Sequence, residues 1–321
     1  MLARFLAWLD GFQQRHGWLG FPLAVRQKYS DDQAGYLGAT ITYYGFFSFF
    51  PLLLVLTTVL GYVLAGDPSL AKKIEDSALG QFPVIGHDLK SGSLNGNALA
   101  VTIGTVTALW AGMGAILAAE NAVNKIWGVP RVQRPSFLHA RLRALGLLAV
   151  VGVGLLGATV LAALASANTN FATAWKVGSI VLSTSLDFVL FWSMFRILVS
   201  TDVPWRDLWR GAVFAAVGYE LLQLLGGYYI GRVLERASNT YGTFALVIGL
   251  LSFIYLAVYV FLMGAELSVV AARRLWPRSL SVLSERPPTA ADLAALEQRA
   301  GVEVRRHDEQ IAVSISDQED P

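Results

Sequence analysis

The sequence predicts an all-α, polytopic membrane protein of six transmembrane helices with both termini in the cytoplasm, and three observations carry that prediction. Of 321 residues, 55% are hydrophobic and 15% charged, and the mean hydropathy is +0.51, more apolar material than one soluble core uses. Six runs reach the roughly 20 apolar residues needed to cross a hydrocarbon layer about 30 Å thick. Lysine and arginine, finally, collect at one set of run ends.

Residues 1–35 form a cytoplasmic or interfacial N-terminal segment. Leu2, Phe5, Leu6, Leu9 and Phe12 recur at helical spacing with Arg4 and Asp10 among the polar positions, which suits a helix on the membrane surface or packed on the protein itself. Asp10, Arg15 and His16 interrupt the apolar run, so the segment does not read as a cleaved signal. The first span, 36–65, contains TITYYGFFSFFP at 40–51, with six aromatics from Tyr43 to Phe50. At about 100° per residue they cover most of the helix circumference, which lipid or a bundle accepts and water does not. Pro51 cannot donate to the carbonyl of Phe47, so a kink is expected there, with Ser48 helping to satisfy that carbonyl. A packing device and a moving gate both stay open as roles for it.

The outer loop, 66–97, offers a helix start at Asp67 and Pro68, with Leu70, Ile74 and Ala78 as a stripe resting on the bundle or meeting a partner. The second and third spans, 98–126 and 143–168, are rich in glycine and alanine, and Gly112, Gly114, Gly152 and Gly154 are expected to let helices approach closely. The fourth and fifth, 176–200 and 210–232, each hold an acidic residue but are otherwise bounded cleanly by charges; the sixth is 243–272. The tail, 273–321, is polar. Within it TAADLAALEQRAG reads as one short helix capped by Thr289 and ended by Gly301, and the acidic ISDQEDP is expected to be disordered.

Positive residues favour the cytoplasmic side. One side collects thirteen, Arg26, Lys28, Lys125, Arg131, Arg134, Arg141, Arg143, Arg206, Arg210, Arg273, Arg274, Arg278 and Arg286, against six on the other, Lys72, Lys73, Lys90, Lys176, Arg232 and Arg236. Both termini are therefore expected inside. A net charge of +2 with dispersed basic residues gives no nucleic-acid face. With no cysteine, disulfides, thiolate metal sites and a cysteine nucleophile are excluded.

FFSFFPLLLVL, NKIW at 124–127 and YGTFALVIGLLSFIYLAVYVFLMGAELSVV at 241–270 together resemble the YihY/BrkB family of bacterial inner-membrane proteins, and within it the YhjD-like branch. The likeness spans about residues 30 to 275 and is most specific in the last helix, from Tyr241-Gly242 to Gly264-Ala265-Glu266-Leu267. Ser268 stands where the family would have Asn, and Phe49 where Leu is usual. The resemblance implies six helices with both ends cytoplasmic, a role in envelope integrity, and export or flipping of a lipid or lipid-linked precursor.

Ionisable groups inside spans are costly and so are functional candidates by default. Glu220 lies ten residues from Arg210, about 15 Å at helical rise, and Asp187 eleven from Lys176, about 16 Å, which places both near the midplane. Arg196, Glu266 and Glu120 sit nearer the cytoplasm. The expectation is that Arg196 pairs with Glu266 or Glu120 in an inner cluster, with a purely structural interhelical ion pair as the bland alternative. Asp187 and Glu220 are expected to line one polar cavity beside Ser48 and Pro51. No Lys or Arg lies within a turn of Glu220, so protonation is available to it as a switch. Asn121 and Asn124 add amides at the inner mouth, as caps or as polar lining.

The four histidines, His16, His87, His139 and His307, fall in four separate regions by this topology and cannot converge. HExxH, G-x-S-x-G and Walker signatures are absent from the sequence. The chain is expected not to be an enzyme, to need no cofactor or metal, and not to be the ribonuclease that some family members have been labelled. Three functions remain: a translocator of lipid or lipid-linked substrate, a proton-coupled permease for a small polar solute, and a non-transporting envelope scaffold that recruits a partner protein. Membrane lipids are the expected partners. No inverted repeat is visible between the halves.

Overall fold

The computed structural model describes residues 10–63, 98–166, 172–229, 243–279 and 288–313. The outer loop, most of the N-terminal apolar stripe, Tyr241-Gly242 and the acidic terminus lie outside these residues. Among them, regular structure is entirely helical: α1 Gly17–Asp31, α2 Ala34–Val63, α3 Ala98–Ile126, α4 Phe137–Ser166, α5 Ala172–Leu198, α6 Trp205–Tyr229, α7 Thr243–Arg273 and α8 Ala290–Gly301, with a 3₁₀ turn at Arg131–Gln133.

Helix limits follow local chemistry more closely than hydropathy. α4 and α6 begin at Phe137 and Trp205, several residues before the apolar runs, because each helix starts just after a proline, Pro135 or Pro204, and continues through an arginine-bearing turn. α1 and α7 both end against a residue in the left-handed region, Gln33 at φ 56° and Arg274 at φ 52°, which reverses the chain at a helix terminus. α2 runs through Pro51 as one helical element. The hydroxyl of Ser48 donates to the carbonyl of Gly45 at 2.8 Å, not to that of Phe47 as the sequence reading expected. A serine in a helix reaches back to the i−3 or i−4 carbonyl, and Phe47 is its immediate neighbour.

Consecutive helices pack on one another from α2 to α7, and α7 returns to α2, closing a six-helix ring; α1 packs on α2 and α7. Contacts between α3 and both α5 and α7 cross its middle. Among the described residues the buried core sits at one end of the ring, where Val123, Ile126, Phe195, Leu198, Leu262 and Val269 are all nearly inaccessible and Phe195 stacks on Phe261 with centroids 5.0 Å apart. Among the described glycines the tightest backbone approach joins α6 to α7. A Cβ on Gly264 would lie 2.7 Å from the carbonyl oxygen of Gly211, and one on Gly211 would collide with Gly264 and Ser268. Ser268 uses that proximity, accepting from the Gly211 amide at 3.2 Å and donating to the Leu208 carbonyl at 3.3 Å.

Among the described residues the outside of the ring is largely apolar. Val181–Leu198 and Val247–Arg273 are long and hydrophobic enough to cross a membrane, yet only 11% and 28% of those windows are buried. A soluble core helix would be mostly buried. Trp110, Leu224 and Leu225 each expose more than half of their surface. Hydrocarbon accepts such a surface and water does not.

Candidate functional site

Two groups of polar residues are built into the ring. The first lies at its buried end. Lys28, on the last turn of α1, forms an ion pair with Asp32 one turn later, donates to the carbonyl of Ile126 at 2.9 Å, and reaches Oε2 of Glu266 on α7 at 3.4 Å. Lys28, Asp32 and Glu266 are at most 6% exposed in their side chains. One ammonium thus joins two carboxylates and the C-terminal end of α3, tying three helices at a point removed from water.

Arg196 has no part in this, which corrects the pairing expected from depth. Its guanidinium lies 2.7 Å from Asp202, whose side chain is 94% exposed. The residue stands two positions before the end of α5, close enough to the α5–α6 connection for its side chain to leave the bundle for the loop. Glu120 is met instead by Arg143 of α4 at 3.7 Å and by the Ser200 hydroxyl at 3.5 Å. Asn124 accepts from the Ser200 amide at 2.7 Å and donates to the Leu198 carbonyl at 3.4 Å, capping the end of α5. Asn121 is exposed and accepts from Arg134 at 2.7 Å.

Several basic residues that weight this side in the sequence also serve open helix ends. Arg273 donates to the Trp127 carbonyl and Arg143 to that of Val199, both at 2.8 Å. The tail helix completes the layer. Thr289 and Asp292 form a capping box, as expected for Thr289, and Arg278 bridges Asp31 at 2.8 Å and Asp292 at 3.0 Å. Gln298 of α8 donates to the Ile126 carbonyl at 2.9 Å. Burial opposes ionisation of Asp292, but the amides of Ser279 and Thr289, the Thr289 hydroxyl and Arg278 together hold its carboxyl below the usual carboxylate range.

The second group lies between α5 and α6. Glu220 accepts from the Ser183 hydroxyl at 2.7 Å and from Thr184 at 3.4 Å. Asp187, one turn along α5 from both, lies within electrostatic reach of Glu220, and Tyr219 within reach of each carboxylate. Gln223 donates to the Tyr219 hydroxyl at 3.1 Å, and Phe191 meets the Tyr219 ring edge-on at 6.0 Å. No Lys or Arg forms an ion pair with either acid among the described residues. Ser183 and Ser185 are exposed, and Asp187 and Glu220 are partly so, beside exposed Val181, Leu182, Val217, Leu221 and Leu224. The result is a polar notch with apolar flanks.

Sequence reasoning missed Lys28 and Asp32 as the partners of Glu266, although a Lys and an Asp four apart at the end of a short helix were the available signal. It also passed over Ser183, Thr184, Tyr219 and Gln223. Ser183 lies four residues before Asp187, one turn away on the same face, while Tyr219 and Gln223 flank Glu220.

The family model described as "Virulence factor BrkB" matches residues 25–285. The inner membrane protein YhjD of Escherichia coli K12 is 26% identical over 267 residues, covering 75% of this chain and 78% of YhjD. A UPF0761 membrane protein of Methylibium petroleiphilum is 25% identical over 275 residues, covering 79% of this chain but only 62% of the relative. The ribonuclease-like protein YfkH of Bacillus subtilis is 23% identical over 268 residues, covering 80% and 96%. No solved structure matches the chain. The first relative is named an inner membrane protein and the second a membrane protein, which supports an inner-membrane location. With four-fifths of its length on the family model and an apolar exterior around its helices, the chain belongs to the BrkB/YihY family of membrane proteins.

Proposed function

We propose that this protein is not an enzyme and moves a lipid or lipid-linked precursor across or out of the bacterial inner membrane, in support of envelope integrity. In this reading six helices span the bilayer, with both termini in the cytoplasm where the basic residues collect. The observation that supports it is the α5–α6 notch. Asp187 and Glu220 lie near the depth of the bilayer centre by their spacing from Lys176 and Arg210, Ser183 bonds Glu220, and exposed Leu221 and Leu224 border them. A polar band reached from the side offers a headgroup hydrogen bonds while its acyl chains stay in hydrocarbon. The uncompensated charge on two acids makes Glu220 and Asp187 the groups on which proton coupling would act.

A solute permease would need the same acids in a path sealed from lipid, and the exposure of Ser183 and Ser185 argues against that. The scaffold reading finds support in the docked tail, whose helix α8 offers exposed Leu296 at the surface. Reconstituted liposomes separate the readings. Transbilayer movement of labelled phospholipid that falls about tenfold or more with Glu220→Gln supports translocation; no movement by the wild type, with or without a pH gradient, rejects it in favour of the scaffold.

A further inference from the structure

The start of α6 carries a surface that neither the ring nor the polar notch requires. Trp205 and Trp209 are 47% and 45% exposed. Between and after them stand Arg206, with a side chain 85% exposed, and Arg210, whose guanidinium lies 5.6 Å from the centre of the Trp209 ring. The acid nearest Arg206 is its neighbour Asp207 at 4.0 Å, and Arg210 forms no ion pair among the described residues. The connection is held in place rather than loose, because the Trp192 indole of α5 donates to the Trp205 carbonyl at 3.0 Å and meets the Trp205 ring edge-on at 4.9 Å.

The same face of α6 continues as Val213, Val217, Leu221 and Leu224, all exposed, at helical spacing from Arg206 and Arg210. Two guanidinium groups interleaved with two indoles, Arg206 with only its neighbour Asp207 at 4.0 Å, and then about 15 Å of aliphatic surface match a phospholipid's phosphate and interface followed by its acyl chain. Fifteen ångströms is also about half of a hydrocarbon core. We infer that the N-terminal end of α6 is a docking surface for a phospholipid with a net negative headgroup, Arg206 and Arg210 taking the phosphate and the Val213–Leu224 face taking an acyl chain. The positive rim selects for negative charge, and the indoles fix its depth. This goes beyond translocation, since a scaffold would hold such a lipid as well as a translocator.

The test is an equilibrium one and needs no transport. Delipidated full-length protein in detergent is titrated with dioleoyl phosphatidylglycerol or dioleoyl phosphatidylcholine and the bound lipid is counted by native mass spectrometry. The wild type is expected to bind phosphatidylglycerol about tenfold more tightly than phosphatidylcholine, and added salt is expected to narrow that gap. R206Q/R210Q should lose the preference, while R305Q/R306Q in the exposed tail should keep it. Equal binding of the two lipids by the wild type overturns the inference. So does a preference that survives R206Q/R210Q, or one that the tail substitutions reduce equally.

Discussion

The buried triad and the α5–α6 notch both place two carboxylates among helices, and they resolve the same electrostatic problem in opposite ways. Asp32 and Glu266 share Lys28 in a site closed to solvent, with a helix-end carbonyl completing the ammonium's contacts. Among the described residues Asp187 and Glu220 share no cation; Glu220 has the Ser183 and Thr184 hydroxyls, and both acids are partly open. A buried charge with a fixed partner is structural, because neither member can change state without stranding the other. A charge held by hydrogen bonds at a partly open edge can exchange a proton or a guest. The difference separates a fastening from a candidate working site, although Glu266, Asp187 and Glu220 looked alike as intramembrane acids in the sequence.

Removing the shared cation is expected to have the largest effect. Lys28→Met leaves two carboxylates facing each other in a site that is closed to water, and stability should fall by about 3–5 kcal/mol, read as a lower melting temperature in detergent. Glu266→Gln should cost less, since Lys28 keeps Asp32. If Lys28→Met is as stable as the wild type, the triad is no fastening and the contrast between the two regions collapses.

The tail gives an intermediate effect that depends on pH. The Asp292 carboxyl is held below its ordinary value of about 3.9, so its contribution to docking is complete above that value and is lost as pH falls through the folded value. Hydrogen exchange over residues 288–301 should stay slow from neutral pH to about pH 5 and rise below about pH 4. Asp292→Ala should remove about 1 kcal/mol of docking at neutral pH, the usual worth of a helix cap, and abolish that dependence. Slow exchange retained in Asp292→Ala would show that Arg278 and Gln298 hold the helix without it.

The notch should respond in the reverse sense. Glu220→Gln keeps the shape of the side chain and its acceptor for Ser183 while deleting a charge that no cation balances, so stability should change by less than about 1 kcal/mol while lipid movement falls. A stability loss equal to that of Lys28→Met would make the notch a second fastening.

How much of this was legible follows from what spacing can carry. The helical class and the tail helix were readable because hydrophobic runs and the Thr289 cap are local signals. Helical rise gave Glu266, Glu120, Asp187 and Glu220 an expected height along their helices. It could not give partnership, since height leaves azimuth free: Arg196, expected beside Glu266 or Glu120, pairs with Asp202, and Glu266 meets Lys28. Lys28 escaped notice for a related reason. It belongs to α1, outside any apolar run, and enters the core only because the left-handed turn at Gln33 folds α1 back against α2 and α7. The α6–α7 approach at Gly211 and Gly264 was hidden among thirty glycines; of the four that the spacing reading named, Gly112, Gly114 and Gly154 do meet Leu148, Tyr44 and Leu190 closely, while Gly152 meets open space.

The smallest effect belongs to Arg196, which a reading from depth alone placed at the centre of the inner cluster. Its pair with Asp202 is short, but Asp202 is 94% exposed, and water on one side screens most of what the pair would contribute. Arg196→Gln should therefore change the melting temperature by no more than a fraction of a kcal/mol warrants, and combining it with Lys28→Met should give the effect of Lys28→Met alone. A large loss from Arg196→Gln, or strong coupling to Lys28, would mean that the guanidinium serves the buried acids after all. Equal heights along a helix would then predict partnership better than the exposure of the partner does.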